Sequence, residues 1–320
     1  MFWLNLGTFH RLLSWRTMPL AIFTTRECII GRTLDLNPKQ FKGRYVFAGS
    51  PDFAVPTLSV LLDNHETQCV GVFTQPEKPT GRGKKLSPTA VQAYVQSRSA
   101  SVPLFHPTTP EAFADAIHQL NPDVIVVVAY GMIIPKHIVD AYCCINVHPS
   151  LLPKYRGATP IQAALLNQDT VSGVSLIRMN EYMDAGDILL TQSMPIPMAS
   201  TAGDLHAIYA GVGAELCLRY LYDHTSITPT AQDDTLATYC KKIQSADACL
   251  LPEYDAAEKL ARIQAFSPKP GAYILQNNKR IKIFRAQILD GCLEPLEIQV
   301  EGKPRMAYSN YLAGNPPLVI

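Results

Sequence analysis

Asn146 and His148 stand two residues apart at the end of the apolar segment Tyr142-Cys143-Cys144-Ile145, which reads as a short buried strand. Residues two apart on a strand share a face. The amide and the imidazole are therefore expected to emerge together at the strand's carboxyl end, where open α/β sheets take their ligands. An amide that donates without titrating, beside a residue type that changes charge near neutrality, suits a reaction that builds negative charge on oxygen while a proton leaves. Asp184 lies in the Gly-punctuated loop Met183-Asp184-Ala185-Gly186-Asp187, before a second apolar strand at Ile188-Leu189-Leu190, and is placed to orient the imidazole. With no Ser or Cys nucleophile set beside these three, they point to acyl transfer onto an amine that the substrate brings. Each alone has a plainer reading. A His next to a Pro is usually a surface or satisfied core residue, and an Asp close before a Gly usually forms a turn. Their joint spacing carries the chemistry.

The elements that must hold these residues follow from hydropathy pattern and turn chemistry. Tyr45–Gly49, Val70–Thr74, Val102–Phe105, Val124–Ala129 and the segment before Asn146 read as strands. Helical patterns lie between them at Val55–Leu62, Pro88–Ser97 and Glu111–Leu120. The run Val124-Ile-Val-Val-Val-Ala129 has the continuous β-branched character of a strand buried on both faces. Strands alternating with helices predict an α/β fold with a doubly wound, mostly parallel, Rossmann-like sheet. Thr159–Leu166 reads as a helix, Gly173–Met179 and Ile188–Ile196 as strands, and Asp204–Leu221 as a long closing helix. Four parts are expected: an N-terminal extension over 1–43, a catalytic domain over 44–222, a linker over 223–242 and a small domain over 243–320. In the last, Tyr254–Phe266 reads as a helix, Asn277-Asn278 as a hairpin turn and Leu296–Val300 as a strand. The segment from Gln75 to Lys85, rich in Pro, Gly and positive charge, reads as an exposed loop without regular structure.

Composition bounds the rest. At 320 residues, 47% hydrophobic and 17% charged, the chain is globular with ample core. No apolar run approaches the roughly 18–20 residues of a membrane helix. The eight cysteines show no C-x-x-C spacing, so buried reduced thiols and a reducing compartment are expected, with no metal. The net charge of +1 conceals an asymmetry: residues 1–44 carry seven basic and two acidic side chains, and residues 241–320 carry eleven and eight. A nucleic-acid partner would therefore have to be met by local basic patches. Three readings of residues 1–44 stay open: a start assigned too early, an organellar presequence (Arg11, Arg16 and Arg26 all precede the first acid, Glu27), or a genuine appendage.

The pattern Asn146-x-His148-Pro149-Ser150-Leu151-Leu152-Pro153-x-x-x-Gly157, followed by Asp184-Ala185-Gly186-Asp187, resembles the folate-dependent formyltransferases. Arg156-Gly157-Ala158-Thr159-Pro160-Ile161-Gln162 narrows the resemblance to the methionyl-tRNA formyltransferases. The resemblance implies transfer of a formyl group from 10-formyltetrahydrofolate to the α-amine of methionyl-initiator tRNA. Asn146, His148 and Asp184 match the family's catalytic set, and Ser150, Leu151, Leu152 and Pro153 its folate-contacting segment. Lys78, Arg82, Lys84 and Lys85 match its inserted tRNA-binding loop, and clustered cations on a Gly-hinged loop suit phosphates. Lys269, Lys279, Arg280, Lys282 and Lys303 offer a second phosphate-level contact. The resemblance also implies a C-terminal OB-like β-barrel, here shortened because only about ten residues separate the Arg285-Ala286 strand from the last strand. A monomer in the cytoplasm, or in an organellar matrix if residues 1–44 are a presequence, is expected. The rival within the same chemistry is formylation of a small amine, an amino sugar or glycinamide ribonucleotide. A Rossmann dehydrogenase is not supported, since no G-x-G-x-x-G follows the first strand.

Overall fold

In the computed structural model, residues 43–80, 85–98 and 102–320 are described. Strand β1 (Arg44–Gly49) leads through a short 3₁₀ turn to helix α1 (Val55–Leu62), followed by β2 (Gln68–Phe73). A small hairpin, β3 (Lys78–Thr80) and β4 (Lys85–Ser87), precedes α2 (Ala90–Ser97), β5 (Leu104–Phe105), α3 (Pro110–Leu120) and β6 (Val124–Val128). Next come α4 (Lys136–Ala141), β7 (Cys143–His148), β8 (Arg156–Gly157), α5 (Pro160–Leu166), β9 (Val171–Arg178) and β10 (Ile188–Pro195). The long α6 (Ala202–Asp223) leads to β11 (Tyr239–Cys240) and α7 (Ala256–Phe266). The chain closes with β12 (Ala272–Gln276), β13 (Lys279–Leu289), β14 (Cys292–Val300), β15 (Met306–Ala307) and α8 (Tyr308–Leu312).

The main sheet has the order β10-β9-β7-β6-β1-β2-β5. The run from β7 to β5 is parallel, whereas β9 and β10 run antiparallel, so the expected mostly parallel sheet forms. Alternation along the strands splits the core in two. Tyr45, Phe47, Val126, Val128, Ile145 and Val147 face one apolar cluster with α1, α2 and α6. Val46, Ala48, Ile125, Val127 and Cys144 face another with Phe113 and Ile117 of α3 and Ile138 of α4. Helices therefore cover both faces, as continuous apolar strands require. The chain steps outward from β1 to β2 and β5, then returns to β6 on the other side of β1. That reversal opens the ligand crevice of such sheets at the carboxyl ends of β1 and β6. Ser50 ties this crevice: its hydroxyl donates to the Tyr130 carbonyl at 3.0 Å and accepts the Gln75 amide at 3.1 Å.

Several expectations are corrected. The basic segment after Gln75 is exposed, but its base is regular: Lys78 pairs with Ser87 and Thr80 with Lys85 in an antiparallel hairpin. The C-terminal sheet is open, not a closed barrel, with the linear order β12-β13-β14-β15. Its first turn is the expected Asn277-Asn278, both in left-handed conformation (φ 51° and 58°). The short passage after Arg285-Ala286 is in fact the continuation of one long hairpin, reversed at Asp290-Gly291 (φ 49° and 77°). Asp-Gly is a preferred type I′ pair because both positions need φ above zero. The segment 223–242, expected as a linker, is bonded to the catalytic half. Thr230 bridges Ile188, and Tyr239 and Cys240 pair in parallel with Arg156 and Gly157 of β8.

All seven described cysteines are unpaired. Burial pushes the Cys69 thiol up to about 11 and that of Cys144 up to about 12, which keeps them protonated and unreactive. Among the described residues no helix is long and apolar enough to cross a membrane.

Helix α6 starts in a capping box, with the Thr201 hydroxyl and the Asp204 carboxylate each bonding the other's amide. It crosses close behind β7, where a Cβ on Gly213 would sit 2.5 Å from Cγ1 of Val147, the neighbour of both Asn146 and His148. Gly213→Ala is expected to destabilise the protein by about 1–3 kcal/mol through overpacking, although Ala is the better helix former by about 1 kcal/mol. Adding Val147→Ala should restore part of that loss. Urea midpoints of the two singles and the double check it. Additive losses would show that the contact is not the cause.

Candidate active site

Strand β7 carries Asn146 and His148 at the level where its parallel neighbour ends, since Asn146 lies opposite Val127 in β6. On its other side β9 runs back, pairing His148 with Ser175 and Ile145 with Arg178. The loop from β9 to β10 therefore leaves beside Asn146, and this brings Asp184 to the two β7 side chains. The sequence-predicted trio converges. Asn146 Nδ2 donates to Asp184 Oδ1 at 3.4 Å, and His148 Nδ1 lies 3.6 Å from the same oxygen. The other carboxylate oxygen, Oδ2, accepts the Gly157 backbone N–H at 2.9 Å.

The tautomer of His148 follows from its second nitrogen. Nε2 lies 2.9 Å from the backbone carbonyl of Tyr155. A carbonyl only accepts, so Nε2 carries the hydrogen. The proton that can come and go therefore sits at Nδ1, the nitrogen that faces Asp184. At 3.6 Å this pair is too long for a direct hydrogen bond, which leaves Asp184 Oδ1 and Nδ1 as two acceptors facing each other across a gap. His148 is only 4% exposed while the Asp184 side chain keeps 16%, so a substrate proton meets the carboxylate first. The arrangement can take a proton from an incoming group and present N–H donors from Asn146 and a protonated His148 to developing negative charge. Asp187, the second acid of the loop, is exposed and outside this cluster.

The loop after His148 is tightly bonded within itself. Ser150 is fully buried and its hydroxyl donates to the Lys154 carbonyl at 2.7 Å. Ser175 donates to the Ser150 carbonyl at 2.7 Å and accepts the Leu152 amide at 3.2 Å. Leu152 is buried, whereas Leu151 and Pro153 keep partial exposure. Leu151 and Tyr155 also line a cleft of about 300 Å³ with Lys154 and Asp169. The Tyr155 hydroxyl donates to Asp169 at 2.7 Å, and burial together with that carboxylate holds it protonated well above the usual phenol range.

Of the basic loop, Lys78 is exposed at the base of the β3–β4 hairpin and Lys85 at its loop end, opposite Thr80, while Arg82 and Lys84 lie outside the described residues. Of the C-terminal cations, Lys269, Lys279 and Lys303 are exposed. Arg280 stacks on Tyr273 with its guanidinium 4.2 Å from the ring centre. Lys282 is already engaged by the Pro270 carbonyl at 2.6 Å. Among the described residues no group of three or more His, Cys, Asp or Glu side chains is arranged to hold a metal ion.

The site also contains residues to which the sequence assigned no individual role. Gln232 and Arg156 lie against the Asp184 loop, with Arg156 only 2% exposed. Burial opposes the Arg156 charge, but Asp234, 2.7 Å away, and the Tyr239 hydroxyl outweigh it and hold the guanidinium more firmly protonated than usual. Arg156 was visible in the sequence only as part of a longer pattern. Gln232 stood in a run of Thr, Asp, Pro and Gln whose composition suggests a linker.

Comparison with known proteins shows the family. A family model described as formyl transferase matches residues 44–221. The chain is 39% identical over 253 residues to a methionyl-tRNA formyltransferase of Coxiella burnetii, covering 77% of this chain and 80% of that one. Among solved structures it is similar in fold to the methionyl-tRNA formyltransferase of Clostridium thermocellum (TM-score 0.57, 17% identity, covering 80% of this chain and 98% of that one). It is also similar in fold to an N-formyltransferase of Helicobacter canadensis in complex with folinic acid and dTDP-3-aminofucose (TM-score 0.57, 20% identity, 77% and 88%).

Gly157 has φ +120°, and a Cβ there would lie 2.3 Å from the Cys240 carbonyl oxygen. Gly157→Ala is therefore expected to cost about 2–4 kcal/mol of stability, from left-handed strain and the clash together. It should also displace the amide that holds Asp184. Denaturation midpoints and turnover measured on the folded variant check both effects. An Ala variant equal to wild type in both would contradict the geometry.

Proposed function

The chain belongs to the formyl transferase family, and from that premise we propose that this enzyme carries the formyl group of 10-formyltetrahydrofolate to the α-amine of methionyl-initiator tRNA. The observation that carries the reading is the shared Asp184 oxygen, Oδ1, with Asn146 and His148 Nδ1 both turned to it. Formyl transfer to an amine needs that set. The amine arrives as an ammonium and must lose a proton before its lone pair can attack the formyl carbon. Asp184 Oδ1 takes that proton, directly or through water, a role worth roughly 10²–10⁴ in rate. Attack turns the formyl oxygen into an oxyanion. His148, protonated at Nδ1 by the proton that Asp184 passes on, and the Asn146 amide donate to it, and losing one such donor typically costs about 10²–10³ in turnover. Collapse of the tetrahedral intermediate breaks the C–N10 bond, and N10 of the folate takes the second proton of the attacking nitrogen, relayed by Asp184.

The folate is read by the loop Ser150, Leu151, Leu152 and Pro153. Because Ser150 and Leu152 are bound inward, Leu151 and Pro153 supply the exposed contact, and the other two fix the loop's shape. An apolar, backbone-rich wall suits a flat pterin. Lys78 and Lys85, with Arg82 and Lys84 between them in sequence, contact the acceptor arm of the tRNA through phosphates. The 39% identity to the Coxiella burnetii enzyme supports the tRNA acceptor. One observation favours a small amine instead: the C-terminal sheet is open and has four strands, a slight platform for an RNA. The reading puts the enzyme, as a monomer, where initiator tRNA is charged, in the cytoplasm or an organellar matrix.

Three measurements test this. Labelled formyl from 10-formyltetrahydrofolate should enter Met-charged initiator tRNA and not charged elongator tRNA. Incorporation into an amino sugar alone would sink the tRNA reading. His148→Ala is expected to reduce turnover by about 10²–10³, and Asp184→Asn by roughly 10²–10⁴, with folate and tRNA still bound. A fully active Asp184→Asn would end its assigned role. Replacing Lys78 and Lys85 with Ala should weaken tRNA binding about equally for all sequences and reduce its salt dependence by about one unit of slope per lost contact.

A further inference from the structure

The Gln232 side-chain amide uses every hydrogen-bonding position it has. Nε2 donates to the backbone carbonyls of Asp184 at 2.8 Å and Gly186 at 2.7 Å. Oε1 accepts from Arg156 Nε at 3.0 Å and Nη2 at 2.8 Å. Two carbonyls on one side demand donors and a guanidinium on the other demands an acceptor, so the amide can point only one way. Neither Glu, Leu nor Met can replace both halves. We propose that Gln232, backed by Arg156, is a positioning residue that sets the Asp184 carboxylate for proton transfer, a role that rests on the formyl-transfer reading above.

The geometry forms a closed ring. The Arg156 side chain holds Gln232, Gln232 holds the main chain of Asp184, and the Asp184 carboxylate returns to the amide of Gly157, next in sequence to Arg156. Asp184 has φ +53°, a left-handed conformation that costs a non-Gly residue free energy and must be imposed from outside. Binding the carbonyls on either side of Ala185 to one amide fixes both peptide planes. If either rotates, the side chain swings away from Asn146 and His148. A displacement of about 1 Å from a distant group can lower a rate on the order of 100-fold. The hydrogen bonds of Gln232 go to Arg156 and to the Asp184 and Gly186 carbonyls, so its effect passes through the Asp184 backbone.

Gln232→Glu separates positioning from folding. The carboxylate keeps the Arg156 pairing but offers no donor to the two carbonyls. Gln232→Ala, by contrast, also leaves a buried guanidinium short of a partner and is the variant at risk of unfolding. In the full-length enzyme Gln232→Glu is expected to lower kcat by about 10–100-fold, with KM for the formyl donor and for charged tRNA within about threefold of wild type. In an Asp184→Asn background the same change should add almost nothing, since both act through one carboxylate. A readout free of substrate accompanies these: the imidazole ¹⁵N signals of His148 in Gln232→Glu should move toward those of Asp184→Asn. Unchanged kcat and unchanged His148 signals in the folded Glu variant would overturn the proposal, as would a loss confined to KM or full additivity with Asp184→Asn. If the wild-type enzyme transfers no formyl to tRNA, the acceptor reading fails, and the His148 signals still decide the clamp.

Discussion

The hydrogen bond from the Gly157 amide to Oδ2 of Asp184 is the constraint on which the site depends. It turns a carboxylate so that one oxygen is held and the other is left facing Asn146 and His148. A bond to a charged acceptor is worth about 1.5–3 kcal/mol, and a left-handed non-Gly residue costs about 1–3 kcal/mol. One roughly cancels the other. The bond alone would leave Asp184 free to relax, which is why the loop is held a second time through its carbonyls. Gly157 contributes what no other residue type can at that point: φ +120° and no Cβ toward the Cys240 carbonyl.

The sheet explains why these groups meet. A wholly parallel sheet would send the chain after β7 away through a crossover. Here β9 returns antiparallel beside β7 and ends level with Ile145, so its following loop lies beside Asn146. The same return puts Ser175 opposite His148, where its hydroxyl ties down the loop after His148 at both Ser150 and Leu152. One strand thus delivers two things: the second acid loop, and the rigidity of the first. Gly213 adds a third condition, because α6 can approach the back of Val147 only without a side chain there.

Much of this was legible from local pattern. The apolar run at Val124–Val128, the alternating helices and the Asn146–His148 spacing each encode their own geometry within a few residues. Asp184, singled out by its loop motif, lies against Asn146 and His148 of β7. The less legible parts depend on partners distant in sequence. Residues 223–242 read as a linker because their polar side chains form no periodic pattern, yet those from Thr230 to Cys240 bond to groups some 42 to 85 positions away. The basic segment read as irregular because Pro and Gly dominate it, but Pro79 sits in a two-stranded ribbon where the missing N–H costs little. Asp290-Gly291 carried its turn signal openly. It lay in the short passage read as the mark of a shortened barrel.

A buried Arg156 needs its own justification, since removing a guanidinium from water costs several kcal/mol and an apolar core residue would often be as stable. Its carboxylate partner, Asp234, offsets that cost, although at 81% exposure solvent screens the pair. What the guanidinium supplies is orientation. Its planar fork presents two N–H groups to a single oxygen of Gln232, and an amide so gripped can only turn its NH₂ toward Asp184 and Gly186. An aliphatic side chain would fill the same volume and leave the amide free to flip. A buried charge kept at such cost is best understood as specifying one arrangement of the loop rather than stabilising the fold. Because Gln232 and Asp234 follow α6 while Arg156 lies in β8, that arrangement requires the chain beyond α6 to lie back over β8, where Tyr239 and Cys240 pair with Arg156 and Gly157.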